Sequence, residues 1–343
     1  MVPVDDDIRN AVDAVWDSLA VPGRWLTGTQ RVEVAAECRR AAREQRGRGD
    51  ALGDRHRDLV ASVVHDPAGL HDTELDQLCG DDMTVDEYVE TVAVAAKVVA
   101  IDALCDALGM EPLPLPAPVA GEPTQVRPEG AADLGGRVPM LSAEDLTAVI
   151  GPGTYHVNVR RGHSLVPEEA GLQVHLVEAL YVPDLLAHGL EGRRGLGRDQ
   201  IEAIATRVST LNRCFYCSAG HAQLLAMSGD PQEPLDVVAA AQGDDPGVRH
   251  SRELLDLAEA MVRGRPTVEE ARANAAAVLD PQQLLGAVAT TAAFMLLNRV
   301  ADSAGIPLDE MAVGLLDTLP EQLALGDLSG SRFTRAADPR RAG

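Results

Sequence analysis

Apolar residues recur three and four positions apart through most of the chain, and glycine and proline separate the segments so marked. In the second half this spacing predicts helices over Leu176–Leu190, Asp199–Leu211, Cys214–Met227, Ser251–Val262, Val268–Ala277 and Pro281–Ala304. Pro183 is expected to break or kink the first of them, because it removes an amide donor and crowds the preceding turn. Only Thr154–Arg161 alternates apolar and polar residues, the pattern of a short strand or an extended arm. The expected fold class is all-α.

The two halves end alike. Val92–Met110 can be laid over Val288–Ile306 at a constant offset of 196, each an apolar helix with an acidic start and a closing glycine, Gly109 or Gly305. This suggests a tandem duplication. Between the halves, from Glu111 to about Ser142, prolines and then glycines follow one another too closely for a helix to persist. The expected organisation is therefore a helical repeat over residues 1–110, a Pro/Gly-rich linker over 111–142, a helical domain over 143–330 and a disordered tail over 331–343.

Composition narrows the function. With 53 acidic against 30 basic residues the formal charge is −23, which repels phosphate backbones and anionic membranes, so neither nucleic acid nor membrane is an expected partner. Aromatics make up 3% of the chain, too few for a typical sandwich or barrel. The start of the chain, with Asp5, Asp6 and Asp7, lacks a signal-peptide pattern, and five cysteines are too few for a secreted disulfide framework. A cytoplasmic location is expected, where a closely spaced cysteine pair reads as redox, catalytic or metal-binding.

One such pair exists. Residues 200–221 carry the pattern E-x11-C-x2-C-x3-H, formed by Glu202, Cys214, Cys217 and His221. With Asn212 as N-cap, both cysteines fall near the first turn of a helix, where unpaired amides favour a thiolate and should lower the thiol pKa. Cys214, Cys217 and His221 then share one helix face. A histidine one turn from Cys217 can take its proton while Glu202, from the preceding helix, orients and charges that histidine. Two cysteines at this spacing can also close a disulfide, one attacking and the other resolving a sulfenic acid or mixed disulfide.

These four residues, with Val208–Asn212 before them and Phe215-Tyr216 between the cysteines, resemble the AhpD-like alkylhydroperoxidases, a peroxidase-related branch of the carboxymuconolactone decarboxylase superfamily. The resemblance is strongest over about residues 176–305 and implies an all-α AhpD-like fold that forms homo-oligomers. It also implies a hydroperoxide substrate, and a redox partner such as a lipoyl-type or thioredoxin-like donor that supplies the external dithiol. No bound cofactor is expected. Carried over residue by residue, the resemblance makes Cys217 the activated thiol and Cys214 its disulfide partner. Where some members have a histidine before the second cysteine, this chain has Tyr216. In the first half Glu33 follows a comparable Gln30-Arg31-Val32, but no cysteine pair lies beyond it, so that repeat is expected to be degenerate and catalytically dead.

Other readings stand beside this one. Cys214, Cys217, His221 and Glu202 are a possible zinc set, although structural zinc usually draws on two clusters rather than one helix. A cysteine-independent, decarboxylase-like acid–base reaction would need only the histidine, and a redox-sensing or binding protein would oxidise without turnover. Cys38, Cys79 and Cys105 read as packing residues, as do Trp16, Trp25 and Phe294. His175 and His188 are candidates for a second proton donor, and Asn298-Arg299 for either a family feature or a helix–helix hydrogen bond.

Overall fold

The computed structural model describes residues 4–45, 51–72, 75–152, 157–182, 191–230, 232–240, 243–264 and 267–309. Among them there are α-helices, one 3₁₀ turn and isolated β-bridges, and no strand. The fold class is all-α. In chain order the helices are α1 (Asp6–Ala20), α2 (Gly28–Ala42), α3 (Asp54–His65), α4 (Pro67–Asp72), α5 (Leu75–Leu78), α6 (Val85–Leu108), α7 (Ala143–Ile150) and α8 (Pro167–Leu180). They continue with α9 (Arg198–Leu211), α10 (Phe215–Ser228), α11 (Glu233–Ala239), α12 (Ser251–Arg263), α13 (Val268–Ala276) and α14 (Pro281–Ala304).

The molecule is built around α6 and α14, which pack against each other. Each has 24 residues, and their first and last positions differ by the same 196 that relates the two sequences. Local chemistry sets both ends. Thr84 with Glu87, and Asp280 with Gln283, form capping boxes that satisfy the first free amides. Gly109 and Gly305 close the helices at φ 70° and 53°, the left-handed conformation that costs glycine least. Every residue of α14 from Leu284 onward is buried, as expected of a helix apolar on all sides. This helix is long and apolar enough to cross a membrane, but here it is wrapped by protein.

Around this pair, α2 and α3 cover α6 while α9, α10 and α12 gather on α14, and α1 packs against α8. A single apolar cluster runs from Ile8 to Ile306, so the two halves share a core. The connection over 111–142 forms no helix, as its prolines require. It is nevertheless held in place. Trp16 Nε1 donates to Pro114 O at 2.7 Å, Val119 N to Ala20 O at 2.7 Å, Gln125 N to Arg24 O at 2.7 Å and Arg137 N to Ala304 O at 2.8 Å.

Two sequence expectations change. Asn158–Arg160, within the segment read as a strand or arm, is a 3₁₀ turn, and Thr154–His156 lie outside the described residues. The helix expected from Leu176 begins earlier, at Pro167, because proline is well placed in a first turn; it ends at Leu180, and Pro183 and His188 lie outside the described residues. The tail over 331–343 is likewise outside them.

Candidate active site

Helices α9 and α10 form an antiparallel pair joined by Asn212, Arg213 and Cys214. Arg213 takes a left-handed conformation, φ 57°, which turns the chain sharply, and Cys214 N donates back to Ser209 O at 2.9 Å. As a result Cys214, and not Asn212, is the N-cap of α10, while Asn212 closes α9. The Asn212 side chain is used elsewhere: its Nδ2 donates to Asn298 Oδ1 at 2.8 Å, and Asn298 Nδ2 donates to Ser209 Oγ at 3.0 Å. These bonds tie the α9–α10 turn to α14. Arg299 bonds the carbonyls of Val63 and Val64 at 2.7 and 3.0 Å, so the Asn298-Arg299 pair acts in helix packing.

The hairpin brings Glu202 of α9 against His221 of α10, with Glu202 Oε2 2.6 Å from His221 Nδ1. Glu202 is completely buried, whereas the His221 side chain keeps 17% of its surface exposed. The other carboxylate oxygen is held by two further groups. Arg198, one turn earlier on α9, places Nε 2.6 Å from Oε1, and the Tyr181 hydroxyl donates to the same oxygen. Arg198 Nη2 also donates to the Tyr181 hydroxyl at 3.0 Å, closing a triangle of side chains on one carboxylate oxygen. Phe294 of α14 stands edge-on to His221 at 4.4 Å and to Tyr181 at 5.1 Å between ring centres. It is a wall of the site as well as a core residue.

The electrostatics follow from this enclosure. Burial alone would raise the pKa of Glu202, but His221, Arg198 and the Tyr181 hydroxyl together hold it below the usual carboxylate value. Burial and the neighbouring Glu202 charge push the Tyr181 phenol well above its ordinary value, so it stays a donor. Glu202 is therefore a fixed negative charge facing one imidazole nitrogen. That arrangement fixes the ring's orientation.

Cys214 and Cys217 are both buried free thiols at the start of the helix that carries His221. The expected lowering of the thiol pKa does not hold for Cys214. Burial, followed by the Cys217 thiol and the charge of Asp302, pushes it well above the ordinary thiol value, and the helix N-terminus does not compensate. Tyr216, between the cysteines, donates its hydroxyl to Asp309 Oδ2. Among the described residues no three His, Cys, Asp or Glu side chains converge as a metal set.

The remaining candidates fall elsewhere. Glu33 pairs with Arg40 at 2.5 Å in a partly exposed position. Cys38, Cys79 and Cys105 are buried, and burial raises all three, Cys79 and Cys105 to about 11. His175 lies on the exposed side of α8. His163 is buried against Ser303 Oγ at 3.1 Å, and burial lowers it to about 3, leaving it neutral. A cavity of about 410 Å³ is lined by Ser18, Arg24, Arg31, Val126, Glu168 and Leu172 among others, and by no cysteine.

Three site residues were not read from the sequence. Arg198 carries a local signal, since i,i+4 spacing places it on the Glu202 face. Tyr181 and Asp302 carry none, because only tertiary packing brings them in. No curated protein and no solved structure matches the chain. Residues 181–260, which begin at Tyr181 and hold Arg198, Glu202, both α10 cysteines and His221, match the Carboxymuconolactone decarboxylase family, the superfamily that includes the AhpD-like proteins.

Proposed function

We propose that the chain is a thiol-dependent hydroperoxide reductase, or a reductase of a partner's disulfide, working through Cys214 and Cys217. The observation that carries this reading is the Glu202–His221 contact of 2.6 Å on the same helix hairpin as the cysteine pair. A buried carboxylate that orients an imidazole supplies a proton relay, and two thiols three residues apart supply a cycle that can close and reopen. Cys217 attacks the O–O bond as thiolate and becomes a sulfenic acid while the alcohol leaves. Cys214 then displaces water to give the disulfide, and an external dithiol of lipoyl or thioredoxin type restores both thiols. A cytoplasmic setting, a redox protein partner and self-association belong to the same proposal.

A second reading has one observation in its favour. The Glu202–His221 pair is complete without either sulfur, so acid–base chemistry of the decarboxylase kind needs nothing more. Peroxide consumption with a dithiol reductant separates the two. In the thiol reading Cys214→Ser, Cys217→Ser and His221→Ala each lose turnover; full activity in both cysteine variants rejects it in favour of histidine chemistry.

A further inference from the structure

The last turn of α14 brings a carboxyl group that the relay above does not use to the N-terminal end of α10. Asp302 is buried, at 2% exposure, one turn beyond Asn298, whose side chain bonds Asn212 and Ser209 next to Cys214, and its charge acts on the Cys214 thiol. Its Oδ2 has no hydrogen-bond partner among the described residues. The neighbouring Arg299 does not neutralise it by an ion pair, because its guanidinium is committed to the carbonyls of Val63, Val64 and Met295. Arg137, from the segment joining the halves, is fixed beside it by its backbone bond to Ala304 O at 2.8 Å. The three side-chain nitrogens of Arg137 are buried without a hydrogen-bond partner among the described residues. The charged or titratable groups facing Asp302 are thus Cys214, Arg137, Arg299, Arg213 and Tyr88.

We propose that Asp302 is the catalytic acid–base residue for Cys214, accepting the thiol proton as the disulfide with Cys217 closes. The step rests on the thiol-peroxidase reading. In it, the Cys214 S–H proton passes to the Asp302 carboxylate and the sulfur electron pair forms the S–S bond with Cys217. The S–O bond of the Cys217 sulfenic acid breaks, the hydroxide that departs takes a proton from solvent and leaves as water, and Asp302 returns its proton to solvent. Without a local base the step is slow, since burial keeps Cys214 a thiol at neutral pH. Burial raises Asp302 to about 8 against the opposing pull of Cys214, Arg137, Arg299 and Arg213, which places its ionisation where a base for a thiol is useful. Arg137 would then tune the site from outside the catalytic half, giving the linker a chemical role.

The test mixes reduced full-length protein with one equivalent of hydrogen peroxide between about pH 6 and 9.5. Dimedone trapping follows the Cys217 sulfenic acid, and loss of free thiols follows disulfide closure. Wild type should close faster as pH rises, with a midpoint near 8. Asp302→Asn should form the sulfenic acid at the wild-type rate, close the disulfide about 10²-fold more slowly and lose the midpoint. Arg137→Met, which leaves the acid in place but removes a cation, should shift the midpoint upward. If Asp302→Asn does not fold by circular dichroism, the Arg137→Met shift decides. Wild-type closure in Asp302→Asn, or an unmoved midpoint in Arg137→Met, overturns the role of Asp302 alone. Absence of any Cys217 sulfenic acid in wild type overturns the parent reading and this step with it.

Discussion

Two groups of buried carboxylates use the same residue types to opposite ends. Between α2, α6 and α8, Arg31 bridges Glu90 and Glu169 at 2.5 Å each, and Lys97 approaches Glu169 at 2.7 Å. All four side chains are at most 2% exposed. Between α9 and α10, Glu202 is equally buried and also has an arginine, but its second oxygen faces His221, which retains contact with the surface. In the first group the carboxylates meet an arginine that they hold charged and a lysine that burial pulls down against Glu169, with no side chain reaching the surface, so the cluster is a clamp that joins the halves. In the second, one cation is replaced by an imidazole that can gain or lose a proton. The difference is one titratable partner with access to solvent, and it turns a structural ion pair into a relay.

Substitutions can break this contrast from either side. The largest effect is expected at the relay: His221→Ala should lower peroxide turnover by about 10²–10⁴-fold in the protein that remains folded, the usual weight of a general acid–base group, beyond any stability lost by leaving Glu202 buried with Arg198 and Tyr181 alone. A loss of stability without loss of turnover would make the two groups alike. Next, Glu169→Gln leaves Arg31 and Lys97 buried together and should cost about 3–5 kcal/mol of unfolding free energy by denaturant titration. The folded protein that remains should keep its thiol chemistry.

The acid limb of stability sharpens the same point. Arg31 and Lys97 overcome burial and depress Glu169 from 4.5 to about 2. A depressed carboxylate contributes stability that is complete above the unfolded value and is lost as pH falls towards the folded one, so the window runs from about pH 5 down to 2. Stability measured across that window should fall in wild type and fall less steeply in Glu169→Gln. A smaller effect is expected at Tyr181→Phe, which removes one donor to a charged group worth about 1.5–3 kcal/mol. It should raise the pH midpoint on the acid side of the turnover profile, because Glu202 loses a group that favours its ionised form. An unchanged profile would show that His221 and Arg198 set this carboxylate without Tyr181. Smallest of all, Cys105→Ser should leave peroxide turnover within about twofold, since its thiol is buried and raised to about 11.

What was legible in the sequence was what is local. The long helices, the break over 111–142 and the placement of Glu202, Cys214, Cys217 and His221 all follow from spacing and punctuation over a few turns. The N-cap was misplaced because Arg213 adopts a positive φ that glycine or asparagine would have signalled better. The direction of the Cys214 pKa was misread for a different reason: a helix N-terminus is visible in sequence, but the depth of burial that outweighs it is not. Tyr181 lies 21 positions before Glu202 and meets it only through the packing of α8 and α9 onto α14. Asp302 sits in a helix whose apolar pattern gives no sign that a charge in its last turn acts on Cys214. Glu33 shows the converse, a residue whose local context resembled Glu202 but whose packing gave it Arg40 as partner.

The central claim is that Cys214 and Cys217 form a redox pair served by the Glu202–His221 contact. Its most direct test is a count of free thiols by intact mass after one equivalent of hydroperoxide, followed by peptide mapping. The account predicts that two of the five thiols disappear and that they map to a Cys214–Cys217 disulfide, which a dithiol then reverses. Five thiols remaining, or oxidation confined to Cys38, Cys79 and Cys105, would contradict it.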